Sequence, residues 1–246
     1  MKVGDWPALD EEAAYQVQDA YIRFRKAATG RHESGYKLSM TSPETQALAG
    51  ARKPAYGTLT DDRVLKSPAC LDSSSLQEAM AEPEVVFIVR RALGRSCEVD
   101  EVLGSCDVAP GIEVPDSRFK GWFARLPPGH IVCDNAVSGY VIVGDPVKAE
   151  SIDLRDIEGR LYRDGRLVAA GRASKVMGHP AAAVSWLVKE LARRGRRLSE
   201  GMIVSSGALA MPVVLEPGSY RAVFAGLGDA YLSVGASDQT DRGRAS

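Results

Sequence analysis

The 246-residue chain balances 31 Lys and Arg residues against 32 Asp and Glu residues, for a formal net charge of −1. This balance gives no basic surplus for binding nucleic acid or an acidic membrane surface. The chain starts without an apolar signal-peptide core and contains no run near the roughly 18 apolar residues of a membrane span. We therefore expect a cytoplasmic protein of one or at most two domains, with neither nucleic acid nor a membrane as a partner.

The first 60 residues predict two helices on either side of a short extended segment. An acidic start after Asp10, apolar residues at helical spacing and a stop at Gly30 indicate the first helix. Ser42 is a good cap for the second helix, which Gly50 ends. Lys37 lies between the two helices beside apolar neighbours, and the simpler interpretation on its own is a solvated strand position.

Residues 51–80 show no clear hydrophobic period and predict irregular structure. Asp61 and Asp62 form an acidic pair in this stretch. Such a pair usually lies in a loop or caps a helix.

Two carboxylates, Glu82 and Glu84, stand at the start of a strongly β-prone apolar run. Side chains at i and i+2 of a strand point to the same face, so both glutamates project together while Val85 and Phe87 point to the other face. Because two buried like charges repel, a divalent cation would remove the conflict.

A third carboxylate, Glu113, lies between Ile112 and Val114 and is a candidate to complete a metal site. Oxygen ligands suit magnesium, manganese or calcium. Zinc is not expected, because the four cysteines form no Cys-x-x-Cys pair and the chain has only three histidines. The alternative is that all three glutamates lie on solvated strand faces, as most carboxylates do.

The remainder of the chain is mostly β. Residues 98–103 predict one or two helical turns, and residues 119–128 predict a long loop. A strong hairpin signal at Asp164-Gly165 joins two predicted strands, and the clearest helix follows His179-Pro180. Further strands are predicted over residues 202–206, 219–224 and 231–234, followed by a polar tail over residues 236–246 that we expect to be disordered.

Several short motifs together carry a family resemblance. They occur in this order: Gly35-Tyr36-Lys37 with Thr41-Ser42; Tyr56-Gly57-Thr58-Leu59-Thr60-Asp61-Asp62; Glu82-x-Glu84; Glu113-Val114-x-Asp116-Ser117-Arg118; Asp134-Asn135-Ala136; Gly178-His179-Pro180; and Ser206-Gly207. In this combination the chain resembles the fumarylacetoacetate hydrolase superfamily, in the branch of 2-oxopent-4-enoate hydratases and 4-oxalocrotonate decarboxylases of catechol meta-cleavage. The resemblance runs from about residue 15 to about residue 234.

The resemblance implies an α+β fold, a mixed β-roll like the C-terminal domain of fumarylacetoacetate hydrolase, with peripheral helices. We expect an N-terminal helical lobe over residues 1–60 and a metal-binding catalytic β-roll over residues 61–235. It also implies a Mg²⁺ or Mn²⁺ ion held by Glu82, Glu84 and Glu113, a small 2-oxo acid as substrate, and a homo-oligomer.

Further roles are carried over by position. The resemblance implies that Lys37 binds substrate or transfers a proton, that Asp61, with Asp62, is a candidate acid or base, and that Ser138 lines the pocket. Arg118 would either bind a carboxylate or brace the metal loop. The sequence departs from the family where Ser39-Met40 replaces the common Gly-Leu, which puts the identity of the substrate in question.

The expected function is a metal-dependent hydratase that adds water to a 2-hydroxy-2,4-dienoate or 2-oxo-enoate. The alternative enzyme is a decarboxylase similar to 4-oxalocrotonate decarboxylase, which would need a basic group at the far end of the pocket for a second carboxylate. Hydrolysis of an acylpyruvate is disfavoured because the sequence shows no clear Glu-His pair to activate water. From a different class of function, the chain would be a catalytically silent binding subunit.

Overall fold

The computed structural model describes residues 9–235. Its helices are α1 (Glu11–Thr29), α2 (Pro43–Ala49), α3 (Val99–Ser105), α4 (Pro128–Cys133) and α5 (Pro180–Arg193). Its strands are β1 (Glu33–Ser39), β2 (Ala55–Thr60), β3 (Val64–Lys66), β4 (Ala69–Asp72), β5 (Met80–Val89), β6 (Cys106–Val114), β7 (Tyr140–Val143), β8 (Val147–Lys148), β9 (Glu158–Arg163), β10 (Arg166–Arg172), β11 (Ile203–Ala208), β12 (Val213–Val214), β13 (Gly218–Phe224) and β14 (Gly228–Gly235). The tail predicted over residues 236–246 lies outside the described residues.

The strands form two mixed sheets. The larger sheet has nine strands in the order β2-β1-β11-β5-β6-β7-β3, with β12 pairing to β5 and β8 pairing to β6. The smaller sheet has five strands in the order β10-β9-β13-β14-β4. Helices α1 and α4 pack against each other and against β2, while α5 packs against α3 and β11. Two curled sheets with a few outer helices confirm the predicted mixed β-roll with peripheral helices.

The helix signals at the start of the chain are confirmed. The Asp10 side chain caps α1 by accepting a hydrogen bond from the Ala13 N–H at 2.8 Å, and Gly30 ends the helix in the left-handed conformation. Ser42 and Thr45 form a capping box at the start of α2, and Gly50 ends it. Local chemistry alone fixes both ends of these two helices.

The prediction of irregular structure over residues 51–80 is wrong. This stretch contains β2, β3 and β4. Each of these strands has at most six residues, too few for an alternating pattern to stand out, and the partners of β3 and β4 are distant in sequence. The boundary that we predict at residue 60 falls at the end of β2, inside the larger sheet.

The alternation predicted for β5 is confirmed by how its two faces pack. Val85 and Phe87 join the main hydrophobic core, whereas Val86 belongs to a second apolar cluster with Leu59 and Val141. By the same alternation Glu82 and Glu84 share the face of Val86. The glutamates therefore lie on the same face as a buried apolar cluster, where Glu84 is fully buried and Glu82 partly buried.

Gln18, on α1, ties that helix to the sheet. Its side chain is fully buried, and its amide donates hydrogen bonds to the Tyr56 carbonyl at 2.9 Å and to the Val132 carbonyl at 2.8 Å. One side chain thus connects α1 with β2 and α4.

Gln18→Ala is expected to lower the free energy of unfolding by about 1–3 kcal/mol, because it leaves two buried carbonyl groups without their donor. The matched control is Gln16→Ala, an exposed glutamine on the same helix, which should change stability by less than about 0.5 kcal/mol. Urea unfolding of both variants measures the difference, and equal effects would contradict the bridging role.

Within residues 9–235, no helix combines the length and the apolar character needed to cross a membrane.

Candidate functional site

Glu82, Glu84 and Glu113 meet at one point of the larger sheet. Each offers one carboxylate oxygen, and these oxygens lie within 4.8 Å of one another. Glu84 and Glu113 are fully buried, and Glu82 is partly buried. The sequence predicted this grouping, and strand register is what produces it.

The register of β5 and β6 places the three glutamates together. Glu82 pairs directly with Glu113 across the antiparallel strands, and Glu84 pairs with Gly111. Directly opposed residues of such a pair have Cβ atoms roughly 4.5–5.5 Å apart, and Glu84 lies two residues along on the same face. A shift of one residue in this pairing would turn Glu113 to the opposite face.

Glu84 is held by β11. Its Oε2 accepts hydrogen bonds from the Ser205 hydroxyl at 2.6 Å and from the Gly207 N–H at 2.9 Å. The register of β11 against β5 shifts between Ser205 and Ala208, which brings the Gly207 N–H toward the carboxylate. Gly207 has φ of 122°, and a Cβ there would lie 2.1 Å from the Thr41 Oγ1, so glycine is required.

Lys37 reaches the same point from β1. Its side chain is 2% exposed, and its Nζ lies 2.8 Å from Glu113 Oε1 and donates to the Ala136 carbonyl oxygen at 3.0 Å. Strand β1 pairs with β11, where Lys37 lies opposite Ser205. Four adjacent strands, β1, β11, β5 and β6, therefore supply the whole cluster.

A strained turn presents the Ala136 carbonyl to Lys37. Asn135, Ala136 and Val137 all have left-handed φ angles, of 57°, 51° and 53°. This conformation costs about 1–2 kcal/mol for each residue that has a Cβ. The Asn135 side chain holds the turn by accepting from the Thr58 N–H at 2.7 Å and donating to the Thr58 carbonyl at 2.9 Å. Gly57 makes room, because a Cβ there would lie 2.1 Å from the Asn135 carbonyl oxygen.

Burial and mutual repulsion govern the titration of this cluster. Burial raises the pKa of Glu82 to about 8, and repulsion from Glu113 adds to the rise while Lys37 opposes it. Burial, with repulsion from Glu113 and Glu82, raises the pKa of Glu84 well above its ordinary value. Burial alone would lower the pKa of Lys37, but attraction to Glu113 and Glu82 outweighs it, and the pKa is raised.

The charge and bonding of the cluster fit a divalent cation. Three ionised carboxylates and one ammonium leave two negative charges in excess, which a buried site does not sustain without a partner. Glu84 Oε1 and Glu113 Oε2 are buried without a hydrogen-bond partner among the described residues. Hard carboxylate oxygens are the ligands that Mg²⁺, Mn²⁺ and Ca²⁺ prefer.

A pocket opens from this cluster toward solvent. Lys37 and Glu82 lie at its inner end, while Leu48 and Met211 are 43% and 44% exposed at its mouth. Its lining residues are Lys37, Leu38, Ser39, Met40, Thr41, Thr45, Leu48, Ala49, Glu82, Pro115, Trp122, Phe123, Ala124, Leu126, Ile131, Val137, Ala208, Met211 and Pro212. Ser39 and Met40, which replace the common Gly-Leu of the family that the sequence resembles, are both in this lining.

Asp61 and Asp62 do not line this pocket. Asp61 is 43% exposed, accepts a hydrogen bond from the His32 N–H at 3.1 Å and pairs with Arg31 at 3.6 Å. Asp62 pairs with Arg25 and accepts from the Thr60 hydroxyl at 2.6 Å. Both aspartates are thus engaged in a network at the end of β2, away from the glutamate cluster.

Arg118 and Ser138 lie on a separate polar cleft. The Arg118 guanidinium pairs with the Asp134 carboxylate and donates to the Ser138 carbonyl at 2.9 Å. Asp134 also accepts from the Ser117 hydroxyl at 2.6 Å. Of the two roles left open for Arg118, these contacts favour bracing the chain between β6 and β7 over binding a substrate carboxylate.

The sequence did not single out several residues that matter here. Ser205 gave no signal of its own, although the neighbouring Ser206-Gly207 motif marked the segment. The motif containing Asn135 was recognised, but its left-handed turn was not. The aromatic wall of Trp122 and Phe123 lies in the stretch predicted as a loop, and α4, which supplies Ile131, was not predicted.

No family model matches the sequence. The 2-oxo-hept-4-ene-1,7-dioate hydratase of Escherichia coli is 32% identical over 221 residues, covering 87% of this chain and 82% of that protein. The 2-keto-4-pentenoate hydratase of Paraburkholderia xenovorans strain LB400 is 32% identical over 216 residues, covering 87% of this chain and 79% of that protein. Among solved structures, 4-oxalocrotonate decarboxylase from Pseudomonas putida G7, complexed with magnesium and adipate, matches with a TM-score of 0.88 at 30% identity, covering 95% of this chain and 90% of that one.

Proposed function

Because the chain belongs to the hydratase and decarboxylase branch of the fumarylacetoacetate hydrolase superfamily, we propose that it is a metal-dependent lyase that adds water to a 2-hydroxy-2,4-dienoate or 2-oxo-enoate. The observation that carries the proposal is the buried cluster of Glu82, Glu84 and Glu113 with Lys37, at the inner end of a pocket that has no other charged side chain of the described chain in its lining.

In this proposal Glu82, Glu84 and Glu113 hold a Mg²⁺ or Mn²⁺ ion. Such an ion, when bound, supplies Lewis-acid polarisation of the substrate's 2-oxo group. Ser205 and the Gly207 N–H fix one oxygen of Glu84, which leaves the other oxygen for the ion. The magnesium complex of the decarboxylase from Pseudomonas putida G7 supports a divalent ion in this fold.

Lys37 is the proposed binding and proton-transfer group. Its ammonium lies where the substrate carboxylate and 2-oxo group would enter, and it carries protons to donate. Within residues 9–235, Lys37 and Glu82 are the only acidic, basic or His side chains that line the pocket. We do not assign the reaction to Asp61 or Asp62, because a proton-transfer group must come within hydrogen-bond reach of the carbon chain.

The apolar walls of the pocket limit the access of bulk water, which the reaction requires in addition to a proton-transfer group. Trp122, Leu126 and Ile131 are almost fully buried side chains of the lining and keep bulk water from the polarised carbon chain. The overall change adds a hydroxyl at C4 and a proton to the carbon chain, so the product is heavier than the substrate by one water.

A decarboxylase is the second candidate, supported by the structural match to the enzyme from Pseudomonas putida G7. The experiment that separates the two is product mass after incubation with Mg²⁺ and a panel of 2-hydroxy-dienoates and 2-oxo-enedioates. A gain of one water that a chelator abolishes is the expected result. Loss of CO₂ would instead make the chain a decarboxylase, and turnover of no panel member would favour the silent binding subunit.

Metal binding is expected to release protons. Because the pKa of Glu82 is raised to about 8, the folded metal-free protein keeps a proton above pH 4.5 that the unfolded chain has released. The stability of the metal-free fold that depends on protonated Glu82 is fully present below about pH 4.5 and is lost as the pH rises through about 8. A bound cation displaces the proton, so metal affinity should increase with pH over the same range.

Two measurements check this pH dependence. Mg²⁺ should raise Tm by several degrees more at pH 8.5 than at pH 6, and calorimetry in buffers of different ionisation enthalpy should report about one or more protons released for each ion bound. A Tm increase that does not depend on pH would contradict the assignment of the raised pKa to the metal ligands.

A homo-oligomer is our proposal for the assembly. Val17 and Phe24 are apolar, 47% and 72% exposed, and seven residues apart on α1, which places them on one side of the helix. Light scattering coupled to gel filtration measures the assembly size directly.

A further inference from the structure

The pocket has one polar end and one apolar end. Past Lys37 and Glu82, much of its wall comes from α2, the loop before α4, α4 itself and the segment after β11, and the residues that follow Lys37 along the chain, with Val137, also contribute to it. The apolar side chains that these segments contribute are Leu48, Trp122, Phe123, Leu126, Ile131 and Met211.

The aromatic part of this wall is fixed in place. The Trp122 indole N–H donates to the Glu78 carbonyl at 2.9 Å, and the Trp122 and Phe123 rings meet edge to face with centroids 5.6 Å apart. Because the Trp122 indole N–H is already engaged by Glu78, it is not available to a ligand in the pocket.

No cation serves the apolar end among the residues that the structure describes. Lys37, the one basic residue of the lining, is already engaged by Glu113 and the Ala136 carbonyl. The described basic residues of the flanking segments are absent from the pocket lining: Arg125 lines a neighbouring cleft, and Lys53 pairs with Glu11 at 2.7 Å. The polar lining residues Ser39, Thr41 and Thr45 are neutral.

A second carboxylate in this end would be desolvated without a charged partner, which is costly. A methyl or longer alkyl tail would instead gain from burial. The related proteins do not decide between these tails, since one hydratase is named for a dioate and another for a pentenoate with one carboxylate.

We infer that this chain acts on 2-oxo-enoates, or their dienol forms, that carry one carboxylate and a neutral apolar tail, and that it discriminates against dioates. The inference rests on the proposed function, because the first carboxylate and the 2-oxo group take the end of the pocket at Lys37 and Glu82. The apolar side chains at the mouth of the pocket and the aromatic wall determine this preference for an apolar tail. Ser39 and Met40, which depart from the family pattern, lie in the same pocket.

The first test compares kcat/KM of the Mg²⁺-loaded protein for 2-hydroxyhexa-2,4-dienoate and for 2-hydroxyhepta-2,4-diene-1,7-dioate. The expected ratio favours the monocarboxylate by at least about 30-fold, since an unpaired charge is excluded from an apolar site. Equal turnover, or preference for the dioate, would overturn the inference and leave the proposed hydratase intact. Turnover of neither substrate would mean that the proposed function itself fails.

The second test introduces the absent charge. Met211→Lys places an ammonium at the mouth of the pocket, where Met211 is 44% exposed, and should raise the dioate-to-monocarboxylate ratio of kcat/KM by about tenfold or more. Val214→Lys is the matched control, because Val214 is 65% exposed and lines the neighbouring cleft, not this pocket. The control should leave the ratio unchanged, and an equal shift in both variants, or no shift in Met211→Lys, would overturn the assignment of the tail to this wall.

Discussion

Glu84→Gln is expected to lower kcat/KM by at least about a thousandfold, since Lewis-acid stabilisation is worth several kcal/mol and each 1.36 kcal/mol is a factor of ten. The substitution exchanges an anionic ligand for a neutral amide of the same shape. The Ser205 hydroxyl and the Gly207 N–H donate hydrogen bonds to Glu84 Oε2, and the amide oxygen of glutamine can still accept both of them. The loss should therefore come from the metal and not from misfolding.

Metal content and thermal stability separate these causes. The purified variant should hold little Mg²⁺ or Mn²⁺ by elemental analysis, and Mg²⁺ should no longer raise its Tm. Without metal, the variant should be at least as stable as the parent, because a buried repulsion with Glu82 and Glu113 has been removed. Glu200→Gln, an exposed glutamate, is the matched control and should behave as the parent. Full activity of the Glu84 variant at low metal content would refute the proposed centre.

The sequence carried enough information to single out the three glutamates because their pattern is local to each strand. The alternation around Val85 and Phe87 predicted which way Glu82 and Glu84 point, the position of Glu113 between Ile112 and Val114 made it the third candidate, and the family motifs supported all three. The register that pairs Glu82 with Glu113 is a property of two strands together and had to come from the structure. The same holds for β11, whose pairing with β5 puts Ser205 opposite Val86 and whose register shift after Ser205 brings the Gly207 N–H to Glu84.

Two kinds of local structure escaped prediction for physical reasons. Helix α4 starts at Pro128, where proline fits the first helical position, but Pro127-Pro128 is equally typical of a loop. The left-handed turn at Asn135–Val137 has no glycine to mark it. Tertiary contacts hold this turn, chiefly the two hydrogen bonds between Asn135 and Thr58.

The acid or base role that the family resemblance implies for Asp61 and Asp62 stays a prediction, and strand pairing explains why the pair lies apart from Lys37. Asp61 and Asp62 follow β2 directly, and β2 pairs with the strand that carries Lys37. Lys37 pairs with Gly57, however, so the aspartates lie several residues further along the strand and meet Arg31 and Arg25 instead. A shared motif therefore does not guarantee a shared pocket.

Lys37→Met is expected to lower kcat by about 10²–10⁴-fold, the range for loss of a positioned proton-transfer group, while the protein keeps its metal. The ammonium competes with a cation for Glu113, whose Oε1 it approaches to 2.8 Å. Its removal should leave metal affinity equal or higher, which is the opposite of the result expected for Glu84→Gln. Methionine fills a similar volume, so the buried site should not collapse.

The readouts for this variant are kcat and KM measured apart, metal content, and Tm with and without Mg²⁺. Metal-free Lys37→Met should have a lower Tm than the parent, because Glu113 loses its ion pair inside a buried site, and Mg²⁺ should restore the difference. Lys66→Met, an exposed lysine on β3 of the same sheet, is the matched control. If Lys37→Met kept more than about a tenth of the parent kcat, Lys37 would have only a structural role, because loss of general acid–base catalysis costs at least about a hundredfold. A large loss of kcat with metal retained would assign proton transfer to Lys37 and metal binding to the glutamates. The two variants together would therefore separate two functions that lie within one buried cluster.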